Sequence, residues 1–382
     1  MTEPLRILHV HSGNLYGGVE SQLVALAAMR EECPELQSSF ALCFEGRLSE
    51  KLGAAGVGIH QFGLVRFRLP WTIWQARRRL ASLLARSSFD AVLCHNCWSL
   101  ALFAQTIKRC GLPLVYWAHD IPNGEHWLER RARRNPPNLI LANSRATLAS
   151  MPLLFPATLA RLQPAFIRPR QAGDAESIRQ RLRTELMTSM NVVVILMTCR
   201  MEPLKGHRVL FDALTRLTDI PEWRCWIAGG TQRRSDRDYV NELTEQILTA
   251  GLENRVRLLG QRDDVADLMM AADIYCQPNI EPESFGLTFI EAMQAGLPVV
   301  TSALGGANEL LDDQCGRLPP PGDCAALART LADLIRDEPL RSSLGVAGKS
   351  RAAAHSDAAT AIRVLYEHVV AVRRVCASRL DA

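Results

Sequence analysis

A short apolar run followed by a stretch of helical periodicity recurs along this chain in two long series, and that rhythm constrains its fold more than any other feature. Leu5–His11 runs into Ser12-Gly13-Asn14 and reads as a buried strand; residues 19–29 then place Leu23, Leu26 and Ala27 on one helical face. Strand-like runs follow at 39–44, 91–93, 114–117 and 138–142, with helical stretches at 71–85, 99–108 and 144–150. Pro152, Pro156, Pro164 and Pro169 then interrupt any long element, because proline lacks the amide proton that helix and sheet both use. The rhythm restarts at 191–198 (NVVVILMT), the strongest buried-strand signal, and continues through 205–218, 223–228, 236–250, 255–259, 274–277, 285–295 and 299–301. A long helix over 358–379 follows, without an obvious strand after it. Strands apolar on both faces need helices on both sides, so the pattern predicts two doubly wound, Rossmann-like α/β domains facing a cleft.

Composition narrows the class. A length of 382 residues suits two domains, and 48% hydrophobic against 22% charged residues excludes a disordered chain. A net charge of +4 argues against a dedicated nucleic-acid binder. The charge is uneven: residues 1–170 hold 20 basic and 11 acidic side chains, residues 171–382 hold 24 and 29. The 11 cysteines are odd in number and scattered, which points to reduced thiols and a cytoplasmic setting. Cys94 and Cys97 have CxxC spacing, with no second Cys or His pair near in sequence to complete a zinc site. The N-terminus does not read as a signal peptide, and no apolar run is long enough to span a membrane.

In open parallel sheets ligands sit beyond the carboxyl ends of the strands, so the residues after each strand carry the chemistry. After 191–198 come Arg200 and Lys205, two cations straddling a strand-to-helix turn. Arginine offers a planar fork for phosphate oxygens and lysine a point charge, and this chain has only four lysines against 40 arginines. The alternative is a solvated helix start. After 274–277 comes Glu281-Pro282-Glu283-Ser284-Phe285-Gly286-Leu287-Thr288, with a helix expected from Ser284 or Phe285 and Glu291 two turns into it. Free amides at Phe285, Gly286 and Leu287 make an anion site, and Glu283 and Glu291 are carboxylates suited to sugar and ribose hydroxyls. Asp236-Arg237-Asp238 has the spacing of a DxD metal motif but lies at a polar helix start, where capping is the expected role.

Arg200 and Lys205 followed by Glu283 and, eight residues on, Glu291 resemble the donor-site signature of retaining GT-B glycosyltransferases of family 4. Gly17-Gly18-Val19-Glu20, Tyr116-Trp117-Ala118-His119-Asp120, Asn143-Ser144, Gly260-Gln261-Arg262-Asp263-Asp264-Val265 and Leu304-Gly305-Gly306 resemble further loops of that family. The resemblance implies a GT-B fold: an acceptor-binding domain at 1–170, a nucleotide-sugar-binding domain at 171–356 and a helix, 357–382, returning to the first. It implies that Arg200 and Lys205 hold the donor diphosphate, that Glu283 binds the sugar and Glu291 the ribose. Phe285, Gly286, Leu287 and Thr288 would hold sugar and phosphate through backbone, and the segment around Arg262 would border the base. His119 would lie near the donor sugar, with Gly17 and Gly18 near the diphosphate. The implied reaction is sugar transfer from a nucleotide-diphosphate sugar to a glycan or lipid-linked hydroxyl with retention, without metal or cofactor, in surface polysaccharide or glycolipid assembly.

The segment 161–168 departs from the family's usual interdomain ending, and Ala307-Asn308 replaces its usual Ile-Pro before Glu309. A GT-B-fold nucleotide-sugar epimerase and a non-catalytic glycan- or nucleotide-binding module are the alternatives. An NAD-linked Rossmann enzyme is disfavoured because Gly13…Gly17-Gly18 is not GxGxxG. On the acceptor side, Trp71 and Trp74 beside Arg77-Arg78-Arg79, and Trp127 beside Arg130, Arg131, Arg133 and Arg134, suit contact with an anionic membrane surface. The competing reading packs Trp71 and Trp74 in the core with the arginine face solvated.

Overall fold

The structure, a computed structural model, describes residues 4–167 and 173–378. The expected boundary between residues 170 and 171 lies outside the described residues. The chain forms two compact units, one built from its beginning and its last helix, the other from the residues between.

The first unit is a seven-stranded parallel sheet: β1 Leu5–His11, β2 Leu36–Leu42, β3 Gly58–Gln61, β4 Ala91–Cys94, β5 Leu114–Ala118, β6 Leu139–Ala142 and β7 Ala160–Leu162, ordered 3-2-1-4-5-6-7. One face carries Leu8, Val10, Val92, Tyr116 and Ile140 against the helix Cys97–Arg109; the other carries Leu5, Ile7, Leu93, Val115 and Trp117. Onto this second face the last helix, Ala358–Ser378, lays Ala361, Ile362, Leu365, Val369 and Val372. Burying each larger aliphatic side chain contributes about 1.5–3 kcal/mol, so the stripe anchors that helix strongly to this sheet.

The second unit is a six-stranded parallel sheet: β8 Val193–Thr198, β9 Trp223–Ala228, β10 Val256–Gly260, β11 Ile274–Gln277, β12 Val299–Thr301 and β13 Gly316–Arg317, ordered 10-9-8-11-12-13. Both orders reverse direction beside the first strand of the unit, between β1 and β4 and between β8 and β11. At such a point the segments following adjacent strands diverge and leave a crevice for a ligand.

Several elements lie outside the apolar pattern. β3 and β7 are partly exposed edge strands, and the polar helix Ala175–Glu185 is opened by Asp174 accepting from the Ser177 amide. The helix expected over 205–218 is divided into a tight turn at Pro203–Lys205, a helix His207–Leu214 and a further turn.

Candidate active site

The division after β8 has a local cause. Gly206 adopts φ 79°, and a Cβ there would lie 1.8 Å from the Pro278 carbonyl oxygen beyond β11. Only glycine tolerates both the left-handed backbone and the close approach. The Ile280 amide also donates to the Leu204 carbonyl at 3.0 Å. These contacts clamp the two segments that leave β8 and β11, and they bring Lys205 Nζ to 2.7 Å from Glu283 Oε2. Arg200 stands on the same turn, its Nη1 2.8 Å from Glu202 Oε1 with about a third of its side chain exposed.

Behind the Lys205–Glu283 pair runs a polar ladder. The Tyr275 hydroxyl lies 3.0 Å from Gln277 Oε1; Gln277 Nε2 donates to Asn279 Oδ1 at 3.0 Å; Asn279 Nδ2 donates to Glu283 Oε2 at 3.2 Å. Gln277 and Asn279 are fully buried. One oxygen of Glu283 therefore receives a charged donor and a neutral one, which fixes the carboxylate's orientation. Sequence periodicity passed over Gln277 and Asn279 because it counts them as the polar end of a strand. The signal present was two amides directly following the buried residues of β11.

The helix expected from 284 or 285 starts later, at Leu287, and runs to Gln294. Gly286 takes φ 89° and caps it in the left-handed region, where a Cβ would meet the Phe289 ring at 2.3 Å. Leu287 and Thr288 hold the first helical positions, whose amides have no acceptor within the helix. Phe285 is buried before the cap. Glu291 is consequently the fifth residue of the helix, little more than one turn in rather than two. It is partly exposed, and desolvation by the surrounding protein pushes its pKa up to about 7. The loop 283–285 rests on Gly305 and Gly306: the Gly306 amide donates to the Glu283 carbonyl at 2.7 Å, and a Cβ on Gly305 would lie 2.2 Å from that oxygen.

Arg262, beyond β10, is engaged by carboxylates. Its Nε and Nη2 grip Asp264 at 2.8 and 2.6 Å, and Nη1 meets Glu185 at 2.8 Å, which stabilises the charged guanidinium further. This side chain shapes its loop. Asp236 accepts from the Gln232 and Arg233 amides and caps the helix Arg234–Thr249. No cluster of metal-ligating residues occurs among the described residues.

In the first unit Gly17 caps the helix Gly18–Ala28, its amide donating to Glu20 Oε2 at 2.8 Å. Glu20 Oε1 lies 3.3 Å from His11 Nε2. His119 follows β5 directly, lies 5.4 Å centre to centre from the Trp117 ring, and places Nε2 3.0 Å from His95 Nδ1. Burial lowers its pKa to about 3, so the imidazole is neutral.

Two family models account for most of the chain. Residues 16–158 match "Glycosyltransferase Family 4" and residues 179–351 match "Glycosyl transferases group 1". The chain belongs to glycosyltransferase family 4. Over 151 residues this family 4 chain is 42% identical to the phosphatidyl-myo-inositol mannosyltransferase of Mycobacterium leprae, a stretch covering 38% of each chain. It is 33% identical over 201 residues to a D-inositol 3-phosphate glycosyltransferase of Salinispora arenicola, covering 51% of this chain and 43% of that one. The alignments thus span well under two thirds of these relatives. Among solved structures, Anabaena HepE in complex with UDP-glucose superposes with a TM-score of 0.81 and 26% identity over 99% of both chains. The fold of this family 4 chain is GT-B.

Proposed function

We propose that this chain is a retaining glycosyltransferase that moves a sugar from a nucleotide-diphosphate sugar to a hydroxyl of a glycan or lipid-linked acceptor. The observation that carries this reading is the Lys205–Glu283 pair, held at 2.7 Å between the turn that also carries Arg200 and the segment that leads into Leu287–Gln294, at the strand-order reversal of the second sheet. A cation and a carboxylate side by side suit the two halves of such a donor, diphosphate and sugar hydroxyls. The complex of HepE with UDP-glucose supports a donor of that class, and the names of the mannosyltransferase relatives support a lipid-linked acceptor.

In the proposed reaction the bond between the anomeric carbon and the phosphate oxygen breaks as negative charge gathers on the diphosphate. Arg200, Lys205 and the helix amides stabilise that charge, which is the largest contribution such a site makes. The departing phosphate oxygen takes the proton of the incoming hydroxyl, whose oxygen bonds to the same face of the sugar. Glu283 positions and forms no bond to the sugar, and Glu291 receives the ribose. With two cations at the diphosphate, this mechanism uses neither metal nor cofactor. A nucleotide-release assay over UDP-, GDP- and ADP-sugars, with and without lipid-linked acceptor, tests it. Lys205→Ala should lower acceptor-dependent release by about 100-fold or more. Full activity in that variant, or its abolition in wild type by chelator, overturns the respective part.

The acceptor reading has its own support. Trp71, Trp74 and Trp127 are 58%, 57% and 47% exposed, which removes the alternative that places Trp71 and Trp74 in the core. The Trp127 ring meets Phe67 edge-on at 4.8 Å, and the Arg131 and Arg78 guanidinium groups lie over Phe67 and Trp74. Exposed tryptophans beside arginines are what an anionic lipid surface selects. We place this enzyme's work at the cytoplasmic face of a membrane, with no helix among the described residues long and apolar enough to cross it.

A further inference from the structure

The first unit buries a row of histidines that the proposed chemistry does not use. His9 lies on β1, His95 just after β4 and His119 just after β5, and Ser38 lies on β2. These four strands are consecutive neighbours in the sheet, in the order β2-β1-β4-β5. Ser38 Oγ is 3.3 Å from His9 Nε2; His9 Nδ1 is 2.8 Å from His95 Nε2; His95 Nδ1 is 3.0 Å from His119 Nε2. The ring planes differ by only 26° and 19°, with centres 5.0 and 5.3 Å apart. Those separations are a hydrogen-bond length extended by one ring radius at each end, so the rings lie end to end and their in-plane nitrogens point at one another.

Each link needs one proton between its two nitrogens. Burial lowers the pKa of His9 and His119 to about 3 and holds His95 well below its ordinary value, so each ring carries one proton. A neutral imidazole has one donor and one acceptor nitrogen. The row therefore has only two complete arrangements. In one, Ser38 donates to His9, every histidine donates onward from Nδ1, and His119 carries its proton on Nδ1. In the other, every histidine donates from Nε2 back toward Ser38, and His119 Nδ1 is a bare acceptor. Among the described residues His119 Nδ1 has no hydrogen-bond partner and is not fully enclosed, so it is the end of the row left for a ligand, on a side chain only 5% exposed. His11 lies outside the row. Its Nδ1 accepts from the Gly13 amide, which leaves the proton on Nε2 facing Glu20.

We propose that Ser38, His9 and His95 are positioning residues that set, through this neutral relay, whether His119 Nδ1 offers a proton or a lone pair. The ligand class is a neutral hydroxylated group. Such a group both donates and accepts, so it can engage either arrangement without creating charge in the buried row. The suggestion that this hydroxyl belongs to a donor sugar rests on the transferase reading above; the relay itself does not.

The test is ¹⁵N NMR of the histidine rings in the full chain at neutral pH, without ligand, which reports the tautomer of each ring whether or not sugar is transferred. Ser38→Ala removes the terminal acceptor, and a buried N–H without a partner is the rarer orphan in folded proteins. His9 should then hold its proton on Nδ1, and His95 and His119 should follow to the Nδ1–H form, two links from the change. Ser38→Thr keeps the hydroxyl and should retain the wild-type tautomers. In a Ser38→Ala variant with unchanged folding, His119 in the Nε2–H form overturns the relay, as does any of the three rings charged at pH 7. His9→Phe leaves His95 Nε2 without an acceptor, so the same argument sets His119 in the Nδ1–H form; an Nε2–H form of His119 in that variant also overturns it. Altered tautomers without transferase activity in wild type would retain the relay and remove the sugar assignment.

Discussion

Asn279→Asp changes one donor into an acceptor without changing volume. In wild type Asn279 Nδ2 donates to Glu283 Oε2 at 3.2 Å, and Lys205 Nζ donates to the same oxygen at 2.7 Å. The substitution removes a charge-assisted bond worth about 1.5–3 kcal/mol and sets a second carboxyl beside the first. Two like charges about 4 Å apart repel by about 4 kcal/mol at an effective dielectric of about 20. The Lys205 ammonium offsets part of this, leaving about 1–2 kcal/mol, or a rise of about one pH unit for the introduced carboxyl. A carboxyl whose pKa is raised in the folded state binds more protons there than when unfolded. Its stabilising effect is complete below the unfolded pKa and is lost as pH rises through the folded one. The deficit in Tm relative to wild type should therefore be smallest below about pH 4 and widen as pH rises through about 5, while kcat/KM for the donor falls about 10- to 100-fold at neutral pH. Thermal unfolding across that range, with nucleotide release in parallel, measures both. A deficit that does not change with pH would refute the coupling of position 279 to Glu283.

Three further outcomes follow from the same geometry. Glu291, with its pKa pushed up to about 7, opposes folding increasingly as pH rises from the unfolded carboxyl value through 7; Glu291→Gln should flatten the pH dependence of Tm over that window, by on the order of 2 kcal/mol, as calorimetry would show. Gly206→Ala forces a Cβ onto the Pro278 carbonyl at a left-handed position, so Lys205 should be displaced; donor turnover should collapse, with a loss of at least about 1–3 kcal/mol in denaturant unfolding. Trp71→Ala combined with Trp74→Ala should abolish sedimentation with phosphatidylglycerol vesicles while leaving the Tm within a few degrees, because both rings are exposed.

The site was readable to the extent that it depends on residue type at the end of an apolar run. Arg200, Lys205 and Glu283 follow buried strands, where polar residues are conspicuous. The start of the helix at Leu287 was not readable, because Gly286 can extend a helix or cap it, and the Phe289 ring decides between them. The resemblance sets the segment around Arg262 beside the base; that Glu185, 77 residues away along the chain, pairs with this guanidinium is visible only in space.

Local pattern dictates two parallel sheets wound with helices, since runs such as Val193–Thr198 have no stable alternative to burial on both faces. The sequence also sets the order of charged groups along the chain. Which of them meet depends on how the strands are ordered in space. The row Ser38–His9–His95–His119 joins residues up to 86 positions apart along the chain at a single link, because strand order, not sequence order, sets adjacency in a sheet. The pairing of Lys205 with Glu283, 78 residues on, likewise exists only because β8 and β11 are neighbours. Periodicity is a local property and identifies the strands; pairing is a long-range one, and chemistry at strand ends is built from pairs.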